Sequence, residues 1–130
     1  MAYSISEKEI RNVARLSADE RYDYFVTRVI DGGEVWSLRS EEGWVAVSSD
    51  DGECFPVWPH PDFAAQWATD DWSDCAPTPI PLEVWMHRWT PGLEQDGTLV
   101  AVFPNENEEG VVVSPGELQD SLERELGTEH

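Results

Sequence analysis

The sequence predicts an α+β fold in a single domain, with an antiparallel or mixed sheet packed by helices. Three observations lead there. Segments with helical apolar spacing and short β-branched or aromatic runs occur in blocks, not in strict alternation, which argues against a doubly wound parallel sheet. The chain has 130 residues, 40% of them hydrophobic and 11% aromatic, enough for one buried core. There is no internal repeat. The predicted order is α-α-β-β-β-α-α-β-β-α over residues 1–130, with the core at about 5–126.

The first two helices are marked by their caps. Ser6 with Glu9 has capping-box spacing, followed by Ile10, Val13 and Leu16 at helical intervals. Ser17 with Glu20 repeats the signal. Tyr22, Phe25, Val26, Val29 and Ile30 then continue a stripe that Gly32-Gly33 should stop. Lys8, Arg11 and Arg15 share a face opposite the first stripe and read as solvated.

Three strands are predicted next: Val35–Leu38, Trp44–Val47 and Cys54–Val57. Glu41-Glu42-Gly43 and Asp50-Asp51-Gly52 between them are turn chemistry, since Gly tolerates positive φ and Asp bonds nearby backbone. Pro56 cannot donate to a ladder, which predicts that the third strand is an edge or is bulged. Pro61 suits the first turn of a helix with Asp62 near its positive end, running to about Ala68. Thr69 to Pro79 reads as a polar, proline-containing loop. Pro81 opens a helix bearing Leu82, Trp85, Met86 and Trp89 on one face, which Thr90-Pro91-Gly92 should end; His87 falls off that face. Leu99–Phe103 and Val111–Val113 are strands around the turn Asn105–Gly110. Ser114-Pro-Gly-Glu117 caps a last helix with Leu118, Leu122 and Leu126 facing inward before Gly127.

Charge narrows the function classes. The net charge is −19. Residues 1–30 are balanced, so the excess lies in residues 31–130, which hold 22 acids against Arg39, Arg88 and Arg124. Such a surface repels nucleic acid and anionic membrane. It suits general solubility in a salt-adapted cytoplasm, a basic protein partner, or mimicry of DNA toward a DNA-binding protein. No run approaches a membrane span, and the N-terminus lacks the basic-then-apolar pattern of a signal peptide, so a cytoplasmic protein is expected. Cys54 and Cys75 are too few for a disulfide framework and are expected to be free thiols.

The segment Cys54-Phe-Pro-Val-Trp-Pro-His-Pro-Asp-Phe-Ala64 carries the densest signal. Three prolines and two large aromatics fix the connection between a strand and a helix, and put Trp58, His60 and Asp62 at the joint. These three are the candidate ligand- or partner-binding residues. The competing reading makes His60 a helix cap or a packing residue beside Trp58. The seven tryptophans (Trp36, Trp44, Trp58, Trp67, Trp72, Trp85, Trp89) either wedge the core or line an aromatic groove for a small molecule or peptide.

No residue set points to catalysis or to a cofactor. Zinc would need four ligands, such as Cys54, His60, Cys75 and His87, and their spacings lack local knuckle geometry. Either cysteine with His60 or His87 makes a nucleophile pair in principle. Cys54 lies in an apolar strand and Cys75 beside Asp74, both unfavourable to a thiolate. Asp50-Asp51-Gly52-Glu53 lacks the calcium-loop pattern, and Asp70, Asp71 and Asp74 read as a solvated loop. No glycine-rich phosphate loop is present.

The phrases Glu20-Arg-Tyr-Asp-Tyr-Phe25, Phe55-Pro-Val-Trp-Pro-His-Pro-Asp-Phe-Ala64, Pro91-Gly-Leu-Glu-Gln-Asp-Gly97, Val100-Ala-Val-Phe-Pro104 and Val113-Ser-Pro115 resemble the bacterial family named domain of unknown function 2750 (DUF2750). The resemblance runs over about residues 5–126 and is most specific at Val57-Trp-Pro-His-Pro61. It implies a small bacterial cytoplasmic protein and assigns no catalytic or ligand residue. The expected function is a non-enzymatic protein-binding module, adaptor-like or immunity-like by analogy. The alternative is a small-molecule or peptide binder using an aromatic groove. A DNA mimic or an enzyme comes after both.

Overall fold

Ser6 and Ser17 start the chain's first two helices as their spacing predicts. The computed structural model describes residues 5–41, 43–49, 52–68, 74–104 and 110–128. Helix α1 (Glu7–Ala14) is capped by Ser6 Oγ, which accepts from the Glu9 N–H at 3.1 Å. Helix α2 (Ala18–Gly32) has the full reciprocal capping box of Ser17 and Glu20. It stops at Gly33, whose φ of 72° is the left-handed conformation that glycine adopts without a Cβ penalty. Tyr24 donates to Glu9 Oε2 at 2.6 Å and Arg28 lies 3.5 Å from the same oxygen, which ties α2 back to α1.

Among the described residues seven strands form two sheets: β1 (Glu34–Ser40), β2 (Gly43–Trp44), β3 (Val47–Ser49), β4 (Gly52–Val57), β5 (Ala76–Pro81), β6 (Leu99–Val102) and β7 (Val111–Val113). One sheet has the order β2-β1-β5 and is antiparallel. The other has the order β3-β4-β6-β7 and is mixed, with β4 and β6 parallel. The backbones of Trp36 and Trp58 exchange hydrogen bonds at 2.9 and 2.8 Å, which joins the two sheets.

Three strand expectations are corrected. The segment Trp44–Val47 is not one strand but two, because it crosses between sheets. The Val45 N–H still bonds Leu38 O in the first sheet, while Val47 already pairs with Cys54 in the second. Strand β4 is not an edge; it lies between β3 and β6. Pro56 is tolerated because its nitrogen faces away from β6, beyond the point where β3 stops pairing at Cys54. Its carbonyl accepts the Ser37 hydroxyl at 2.6 Å. Strand β5 lies where a loop was expected. Trp36 and Leu38 spend their backbone groups on Trp58 and Val45, so their β5 partners, Pro79 and Pro77, need no N–H toward β1. Ala76, Thr78 and Ile80 make that ladder. The prolines put their nitrogens on the side away from β1, where among the described residues no strand pairs and a missing donor breaks no ladder.

Helix α3 (Pro61–Trp67) has Pro61 in its first turn. The helix after β5 does not end at Thr90-Pro91-Gly92. It continues as α4 (Leu82–Val84), a π-helix (Trp85–Trp89) and α5 (Thr90–Asp96), up to Gly97 at φ 73°. A proline ring clashes with the carbonyl four residues back in a regular α-helix. The wider turn before Pro91, in which the Thr90 N–H reaches Trp85 O, relieves that conflict. Helix α6 (Pro115–Thr128) runs through Gly127.

Both sheets and the helices share one apolar core. Phe25 and Val29 of α2, Leu118 and Leu122 of α6, Val35 and Leu38 of β1, Val57 of β4, Val100 and Val102 of β6 and Trp85 are all at 0% exposure. The turns expected at Asp50-Asp51 and Asn105–Glu109 lie outside the described residues, as does Glu42.

Candidate functional site

The elbow after β4 divides its three candidate residues. Trp58 is fully buried, its Nε1–H donates to Pro104 O at 3.1 Å, and its ring sits 5.3 Å from that of Trp67. His60 is 6% exposed and is the N-cap of α3: Nδ1 accepts from the Asp62 N–H at 3.1 Å. The Asp62 carboxylate, 3.8 Å from Nδ1, is the part of the trio that reaches solvent. The strand-to-helix turn brings the three close in sequence but points them into core, cap and solvent. His60→Ala is therefore expected to cost about 1 kcal/mol, and His60→Asn, a good capping residue, a few tenths, measured by urea unfolding.

Cys54 is buried and Cys75 half-buried, both as free thiols. Burial pushes the Cys75 thiol pKa up, and the Asp74 carboxylate beside it adds to the rise. His87 is exposed on the π-helix. Among the described residues no group of three or more His, Cys, Asp and Glu side chains is disposed to hold a metal ion. Asp50, Asp51, Asp70, Asp71 and Trp72 lie outside the described residues.

Five of the tryptophans fall into two groups, while half-buried Trp36 is joined to Trp58 through its backbone. Trp58 and Trp67 are core. Trp44, Phe55, Trp85 and Trp89 form an aromatic assembly around the π-helix: Trp44 meets Trp89 edge-on at 5.1 Å, and Phe55 and Trp85 lie 4.9 and 6.0 Å from Trp89. Arg39 caps Trp44 at 5.5 Å. Trp44 and Trp89 are half-buried and Trp85 is fully buried, with its Nε1–H unpartnered.

A groove between α2 and α6 is absent from the sequence reading. It comprises two overlapping depressions of about 410 and 420 Å³ that share Tyr22, Asp23, Ser121 and Arg124. At its centre the Tyr22 hydroxyl and Ser121 Oγ are 2.8 Å apart, which links the helices. Burial raises the Tyr22 pKa, partly countered by the Ser121 hydrogen bond, so the phenol stays neutral at physiological pH. Val26 lines one side, and Val111 and Val113 of β7 line the other. Five carboxylates surround these groups: Asp19 and Asp23 from α2, and Glu117, Asp120 and Glu125 from α6. Arg124 is the one base in the lining, and its Nε donates to Asp120 O at 3.4 Å. Carboxylates gathered at a concave surface focus a negative potential even where, as here, most of them are exposed. The helical spacings of Tyr22 and Val26, and of Glu117, Ser121 and Arg124, are visible in the sequence. That α2 packs on α6 is not, because the pair is separated by most of the chain.

Residues 22–122 match the family model described as "Protein of unknown function (DUF2750)". The match runs from Tyr22 in α2 to Leu122 in α6 and so includes part of each wall of the groove, with Asp19, Arg124 and Glu125 outside it. No curated protein and no solved structure matches the chain.

Proposed function

The chain belongs to the DUF2750 family, and we propose, from its own groove, that it is a non-enzymatic binding module whose α2–α6 groove receives a basic segment of another protein. The observation that carries this is the lining: five carboxylates and one arginine around an apolar and hydroxyl-bearing floor. A chain of net charge −19 adds long-range attraction for a cationic partner, which raises the association rate at low salt. The apolar floor gives the aliphatic stems of lysine and arginine a surface to cover.

The test is the affinity of a lysine- and arginine-rich peptide for two variants of equal net charge. Asp23→Asn, Asp120→Asn, Glu125→Gln removes three groove carboxylates and leaves the first-turn acids Asp19 and Glu117 in place for their helices. Asp31→Asn, Glu53→Gln, Glu83→Gln removes three exposed ones elsewhere. The groove variant is expected to bind at least about tenfold more weakly than the wild type, with the control within about threefold. Equal weakening of the two variants would overturn the groove as the site.

A second reading rests on the aromatic assembly. Half-buried Trp44 and Trp89 beside an unpartnered Trp85 N–H suit an apolar ligand with one acceptor. The rings pack on one another at 4.9–6.0 Å, however, as core aromatics do, so the acidic groove is the better supported site.

A further inference from the structure

We propose that the basic segment binds in extended form, adding as a strand to the outer edge of β7. This deepens the acidic-groove reading and rests on it.

The hydrogen-bond phase of the second sheet fixes which backbone groups of β7 are outward. The Phe103 N–H bonds Val57 O, so Val57 faces β6, and Ala101 and Phe103 face β4. By the alternation of a strand, Val100 and Val102 then face β7. Their partners are Val113 and Val111, which use their backbone groups in that ladder. Val112, paired opposite Ala101, turns its N–H and C=O to the other side. Strand β7 is the last in the order β3-β4-β6-β7, and among the described residues no strand pairs there.

The same alternation sets the side chains. Val111 and Val113 share one face of β7, and both line the acidic groove. A strand laid along Val112 would place every second side chain on the groove side, about 6.5–7 Å apart. Lysine or arginine at those positions would meet Asp19, Asp23, Glu117 and Asp120, while its backbone took the Val112 groups. Main-chain pairing supplies affinity in this mode and alternate side chains supply specificity.

The β5 edge of the first sheet is closed to this mode. Pro77, Pro79 and Pro81 remove every outward N–H along β5, leaving only carbonyl acceptors. An extended segment therefore finds a donor on β7 and none over those prolines.

The probe is a capped nine-residue peptide of alternating arginine and threonine, with two analogues N-methylated at every threonine or at every arginine. One methylation phase blocks the backbone edge that faces β7, and the other blocks the edge that faces solvent. One analogue is expected to bind at least about tenfold more weakly than the parent and the other within about threefold. Val112→Pro, which removes the outward N–H, should weaken the parent peptide by a similar factor while melting within a few degrees of the wild type. Both analogues binding as tightly as the parent would overturn strand addition and leave the acidic-groove reading intact. A parent peptide that does not bind would overturn both.

Discussion

Trp58→Ala is expected to lower the unfolding free energy by about 3–5 kcal/mol, the cost of truncating a large aromatic in a packed core. The ring is fully buried among residues of both sheets and stands against Trp67. Truncation also strands the Pro104 carbonyl, which now accepts from Nε1 at 3.1 Å. The backbone of Trp58 holds Trp36 and so the junction of the sheets, but alanine preserves those two bonds. The loss is therefore one of packing and of one hydrogen bond. For a chain of this size it corresponds to a drop in Tm of roughly 10–20 °C. A loss under 1 kcal/mol by urea unfolding would show that Trp58 is not a core residue.

Arg21→Leu is the second large effect. Arg21 is 2% exposed, although arginine is almost never fully buried without partners. Its guanidinium donates to Leu16 O at 2.6 Å, which closes the turn between α1 and α2, and to Phe103 O at 3.2 Å. Phe103 has φ 52°, a left-handed conformation unusual for an aromatic residue. Its N–H is fixed by Val57 O and its carbonyl by Arg21, so the strained residue is clamped from both sides. Leucine keeps much of the apolar stem and leaves two carbonyls without their donor, at about 1–3 kcal/mol each. A total of about 2–4 kcal/mol is expected, with Arg21→Lys recovering part of it. A leucine variant as stable as the wild type would remove the clamp from the account.

Elements set by neighbouring residues are legible from local signals, and long-range packing decides the rest. The caps at Ser6, Ser17 and His60 and the stop at Gly33 depend on a few neighbouring residues, and each was legible. Pro56 and the prolines of β5 were misread for one reason. Whether a proline fits a strand depends on which side of it another strand lies, and that is set by residues far away. Trp44–Val47 looked like a single strand because its composition does not record the passage between sheets. Pro91 looked like a terminator, since the π-helix that accommodates it has no simple signature. Both walls of the groove are legible as helices, with Tyr22 on the stripe of the second and Leu118 and Leu122 on that of the last. Their meeting was invisible, as was the concentration of acids that it creates.

We propose that a basic partner docks in the acid-lined groove. Backbone amide chemical shifts followed by NMR during titration with the arginine–threonine peptide test it most directly. Saturable shifts are expected, concentrated at Tyr22, Asp23, Val112, Ser121 and Arg124 and weakening as salt is raised toward about 1 M, where the Debye length falls to about 3 Å. Shifts centred instead on Trp44, Trp85 and Trp89, or spread evenly over the acidic residues of 31–128, would contradict it.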